Sequence, residues 1–208
     1  MLEIVISAPQ YPIDLKEGSR MFPAKFCVPQ DHEYVEYDYG DLFFEQPCGS
    51  ATRLVIGPSK GEVDLLTELA ALSENQSWYI LYVLLTPRQG NRESGRYQST
   101  PFDTLEKLSA FMTSFQSYFE GDARHHVWIG SLSNEVLLIY DQHNVIFAYG
   151  PIDRFRAILE KHGFREEEFW FPTPHSHSYA PQYDAEEERL MKEFEWQYFP
   201  LQPGDEWE

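Results

Sequence analysis

Complete catalytic signatures are missing from this 208-residue chain, and each missing one removes a class of activity. The phosphate-cradling patterns GxxxxGK[ST] and GxGxxG do not occur. Gly57-Pro58-Ser59-Lys60-Gly61 holds the right residue types in the wrong order and reads as a turn leading into a helix. Gly130-Ser131-Leu132-Ser133 is not the GxSxG elbow that exposes a nucleophilic serine. The only two cysteines, Cys27 and Cys48, cannot make a CxxC pair or a disulfide framework. They are expected to be reduced thiols, with one disulfide between them as the other reading. No apolar run approaches the roughly 18 residues of a membrane span, and the first residues lack the basic start and long apolar stretch of a secretory leader. A soluble cytoplasmic protein with no cofactor and no membrane contact is the expectation.

Cations are also scarce. Sixteen Lys and Arg face 34 Asp and Glu, giving a formal net charge of −18. The excess is localised. Asp31–Glu45 carries six acids and no Lys or Arg, and Glu166–Glu208 carries twelve acids against Arg189 and Lys192. Those stretches hold −16 of the −18, so the rest of the chain is nearly neutral. Such a field repels nucleic-acid phosphates and steers basic partners inward, which disfavours nucleic-acid binding; a solvated surface that keeps the chain soluble is the plainer explanation. The one locally basic spot, with Arg88, Arg92 and Arg96 against Glu93, is expected to balance neighbouring acids, with anion binding as the other reading.

What is present describes a folded domain: 42% of residues are hydrophobic and 16% aromatic, enough for a sizeable core. Leu2–Ser7, Glu33–Tyr39, Leu42–Glu45 and Thr52–Ile56 read as short strands. Trp78–Leu85 is nearly all apolar and should be central in a sheet, followed by His125–Ser131. Glu135–Asp141 and Val145–Tyr149 flank Gln142-His143-Asn144 as a hairpin. Helices are expected after a capping box at Ser59–Glu62, after Thr100-Pro101 with an apolar face continuing to Phe119, and after Pro151 with a stop at Gly163. A fourth should open at Asp184 with Leu190, Met191, Phe194 and Tyr198 inward, leaving Trp196 outward. The order predicts a single α+β domain with a mixed or antiparallel sheet and about four helices packed on it. Its parts are a strand-rich region 1–58, an α/β core 59–163, and an acidic aromatic extension 164–208.

Two sets of residues carry possible function. His175 and His177 share a face if extended, which suits two ligands of one metal ion; His125, His126, His143 or His162 could add a third, with Asp184 or Asp141 as a carboxylate. That pair defines the alternative of a metal-dependent hydrolase. The second set mixes acids with large rings, the composition of a protein–protein hot spot: Glu33, Glu36, Asp38 and Asp41 in the first acidic stretch, and Glu187, Glu195, Trp196 and Tyr198 in the second. The plainer reading is that the tail packs back on the core, and an adaptor module with a neutral partner is a third alternative.

The acidic stretches 31–45 and 166–208, the α+β pattern over 78–163, the aromatic–acidic tail and the missing catalytic signatures together resemble the bacterial immunity proteins of polymorphic-toxin and contact-dependent inhibition systems. That resemblance implies a non-catalytic protein that binds a basic toxin domain, often a nuclease, and occludes or distorts its active site.

Overall fold

A computed structural model describes residues 24–74, 77–88 and 92–205; the expected strand Leu2–Ser7 lies outside them. The organising element is a nine-stranded sheet. Its centre is β5 (Trp78–Leu84) paired antiparallel to β7 (His125–Ser131), followed by the hairpin β8 (Leu137–Tyr140) and β9 (Ile146–Tyr149). Beyond β9 lie β4 (Ala51–Gly57), β3 (Leu42–Cys48) and the short parallel strand β10 (Arg165–Glu166). On the other side β5 pairs with β6 (Gly95–Gln98), and β6 with β12 (Gln197–Phe199). One parallel pair in an otherwise antiparallel sheet makes it mixed, as expected.

Among the described residues five α-helices accompany it: α1 (Glu62–Ala70), α2 (Leu105–Ser114), α3 (Gln116–Gly121), α4 (Ile152–Lys161) and α5 (Asp184–Leu190). Alternation along the strands decides which side they cover. Ile80 and Tyr82, Val127 and Ile129, Leu138 and Tyr140, and Leu54 and Ile56 turn to one face, where Val63, Leu66, Leu108, Met112, Phe119, Phe155 and Leu159 bury them. The opposite face carries Val55, Ile139 and Phe147, packed against Phe26 and Tyr39. Phe26 belongs to a second, three-stranded sheet in the order β11 (Ser176–His177), β1 (Phe26–Gln30), β2 (Glu33–Glu36). The molecule is therefore layered as helices, large sheet and small sheet, and it is α+β. Among the described residues no helix is long and apolar enough to cross a membrane.

Several element ends differ from expectation for local reasons. Ser59 does not cap α1; its backbone N–H and Oγ both donate to the Asp41 carboxylate, at 2.8 and 2.9 Å, and Val63 N–H is taken by Glu120 instead. Residues 100–103 stay extended because Phe102 bridges to Trp78 through both backbone bonds. The cap of α2 moves to Thr104, whose Oγ1 accepts from Lys107 N–H. The expected single helix to Phe119 breaks at Phe115, giving α2 and α3.

The final helix stops at Leu190, and the tail beyond it reaches the open edge of β6 as β12. Phe194 packs on Phe102 and Phe111, and Trp196 on Phe194 and Tyr82. Trp196 is consequently half-buried rather than outward, while Tyr198 is 44% exposed rather than inward. Both cysteines are free: Cys27 is buried, with its thiol pushed up to about 11 by burial and then by Glu36, and Cys48 is exposed. The disulfide reading therefore falls away.

Candidate functional site

The acids of the second stretch meet the basic spot that precedes β6. Arg88 pairs with Asp184 at 2.9 Å, Arg92 with Glu188 at 3.1 Å, and Arg96 with Asp205 at 2.5 Å. Deeper, Arg124 holds Asp122 at 3.0 Å and Glu187 at 2.7 Å, with Asp184 at 3.3 Å. Arg124, Asp122 and Glu187 are almost wholly inaccessible to solvent. Burial raises the pKa of both carboxyls, and the Arg124 guanidinium pulls each back down. Much of the C-terminal acidity is thus neutralised inside the molecule. Glu187, expected on a partner surface, is an interior ion-pair residue, and Asp41 holds the turn at Ser59. Glu195 and Tyr198 do reach solvent.

The first acidic stretch is different. Glu33, Glu36 and Asp38 are all exposed, and the alternation inward of Val35, Tyr37 and Tyr39 is as expected. Strand β2 is an edge of the small sheet, and Tyr34 on it is 56% exposed. Residues Glu167 to Phe171 lead away from the β3 edge of the large sheet, where the Glu167 N–H donates to the Phe43 carbonyl at 2.9 Å. Phe169 packs on Tyr39 and Phe44, and Phe171 on His143, whereas Trp170 between them is 75% exposed. Sequence pattern alone does not single out Trp170 or Phe171. The exposure of Trp170 follows from Phe169 and Phe171 on either side of it taking the inward contacts.

The same side of the molecule gathers three histidines. His143 sits in the β8–β9 turn, which Asp141 organises. One Asp141 oxygen accepts from the N–H groups of His143 and Val145, at 2.9 and 3.0 Å, and Asn144 adopts a positive φ of 61°. Tyr39 Oη donates to the His143 carbonyl and Tyr140 Oη to the Asn144 side chain, so the turn is fixed from both layers. His177 stands opposite Phe26 in the β1–β11 ladder, and His175 lies two residues earlier in the chain. One ring nitrogen from each of His143, His175 and His177 lies within 4.8 Å of the other two. The Phe26 ring approaches all three imidazoles, at 5.3, 5.1 and 5.7 Å between centroids.

The polar partners of the rings set their tautomers. A carboxylate and a carbonyl can only accept, so the Nδ1–H of His143 donates to Asp141 at 2.7 Å and that of His175 to the Pro172 carbonyl at 2.9 Å. Both Nε2 atoms then keep a lone pair. His177 Nε2 is buried and has no hydrogen-bond partner. Burial, reinforced by His143 and His175, lowers the His177 pKa to about 3, so the ring is neutral. For Asp141 burial acts upward, but His143, His126 and the Val145 N–H together hold the carboxyl at about 2.

Of the other candidate histidines, His125 and His126 lie in β7 on opposite faces, and burial lowers the pKa of each. His162 is remote, bonded to Glu68, and Asp184 belongs to the arginine network. No family model, curated protein or solved structure matches this chain.

Proposed function

We propose that this protein is a non-catalytic acidic binding protein that captures a basic protein domain, as an immunity protein captures a toxin domain such as a nuclease. The observation that carries the proposal is the exposed Trp170 indole. It follows exposed Glu167 and Glu168 in the chain, and the neighbouring Phe169 packs on Tyr39, which follows exposed Asp38 at the end of the first acidic stretch. A large ring left in water among acids is the arrangement of an anchor with a charged rim. The charge draws a basic surface in and raises the association rate, and the ring, once buried, slows release.

The internal pairing of the C-terminal acids moves the proposed surface. Of the two acidic stretches, the first presents the denser set of exposed carboxylates, so contact is assigned to β2 and 167–171 rather than to α5. The test is the association rate of a basic partner recovered by low-salt capture. Raising salt from about 20 to about 500 mM shortens the Debye length several-fold and should slow association about tenfold or more, with dissociation little changed. An association rate independent of salt would remove the proposal.

A further inference from the structure

We propose that His143, His175 and His177 form a binding site for one divalent transition-metal ion of the zinc class. The argument is geometric and does not depend on the partner surface. A tetrahedral zinc with bonds of about 2.0–2.1 Å needs donor nitrogens about 3.3 Å apart. The three donors here lie within 4.8 Å of one another, so side-chain shifts of about 1.5 Å or less close the set. Two of these side chains come from one extended segment and the third from a hairpin tip. The ladder between Phe26 and His177 brings the two elements together.

The surroundings are those of a ligand set rather than of three chance neighbours. Metal-bound histidines characteristically donate their other ring N–H to a carboxylate or carbonyl, which fixes the tautomer and raises the basicity of the binding nitrogen. His143 does so to Asp141 and His175 to Pro172. His177 supplies an Nε2 that is buried and unpaired, a condition that costs stability unless something occupies the lone pair. Phe26 and Phe171 give the cluster an apolar wall, and exposed His175 leaves a way in from solvent. Three imidazole donors select zinc, copper, nickel or cobalt over magnesium and calcium, which require oxygen donors. With three protein ligands the fourth position is left to a solvent molecule or another small donor.

The experiment is calorimetric titration of the full chain, prepared without a polyhistidine tag, with zinc alone. One ion per chain is expected, together with a rise in Tm of about 5–10 °C at a hundredfold excess over Kd. His175→Ala, at an exposed position, should leave the circular dichroism spectrum unchanged and weaken binding about a hundredfold. His162→Ala, which changes a histidine outside the cluster, should leave it unchanged. Absence of saturable uptake would overturn the site, as would uptake that survives His175→Ala or falls equally with His162→Ala.

Discussion

Replacing Arg124 with Met tests whether the C-terminal acids are structural. Arg124 is 1% exposed and joins Asp122 on the approach to β7 to Glu187 and Asp184 on α5. Methionine matches the aliphatic stem but leaves two buried carboxylates without their shared cation. Breaking a buried pair from one side costs about 3–5 kcal/mol, against a total stability of about 5–15 kcal/mol. For a chain of this size that corresponds to a fall in Tm of about 6–20 °C.

The variant also carries a pH signature. In the parent, burial pushes the Asp122 and Glu187 carboxyls up and Arg124 pulls them down. Burial already outweighs the arginine in the parent and raises both carboxyls; without Arg124 both folded-state pKa values rise further above their unfolded values of about 4. The folded variant then binds more protons than the unfolded one through that window, so its stability falls as pH rises. Urea denaturation at pH 5 and pH 8 should show a smaller penalty at the lower pH. A loss below about 1 kcal/mol, or a penalty independent of pH, would refute the assignment of these acids to the interior.

Two further perturbations probe other joints. Gly121→Ala would place a methyl 2.5 Å from Cζ of Tyr183, wedging the C-terminal segment off α3; overpacking of this kind should cost about 1–3 kcal/mol in chemical denaturation, and an unchanged midpoint would contradict the packing. His126 is buried in β7, and burial lowers its pKa from 6.5 to about 4. Between those values the unfolded chain binds the proton and the folded one does not, so this group should lower stability by about 3 kcal/mol as pH falls from 6.5 to 4. His126→Gln should reduce the drop over that range by about 3 kcal/mol, leaving the part due to buried His125 and His177.

How far the sequence reveals this architecture depends on where each element is buried. Strands β5, β7 and the β8–β9 hairpin are legible because both faces are covered and their apolar runs are dense. Strands β6 and β12 are not. Gly95–Gln98 is polar and half-buried, and it becomes a strand only because the edge of β5 and the returning tail pair with it. Helical periodicity from Leu190 to Tyr198 misleads for the same reason: Phe194 and Trp196 find apolar surface in an extended path, and tertiary pairing overrides local pattern. Pro29 in β1 masks a strand that sits in a small sheet.

The histidine cluster is half legible. The alternation of His175 and His177 is visible in sequence, but 32 residues separate His143 from His175. Only the packing of the small sheet on the β8–β9 turn selects His143 over the other histidines. Charge pairing is likewise hidden, because Arg124 and Glu187 are 63 residues apart.

The most direct measurement is binding of a captured basic partner to two charge-reversed variants and one ring deletion. Glu33→Lys with Asp38→Lys should slow association about tenfold or more, and Trp170→Ala should leave association within about twofold while speeding dissociation. Glu193→Lys with Glu195→Lys should leave both rates within about twofold. The reverse pattern, with association lost on the Glu193 and Glu195 reversal and kept on that of Glu33 and Asp38, would contradict the account.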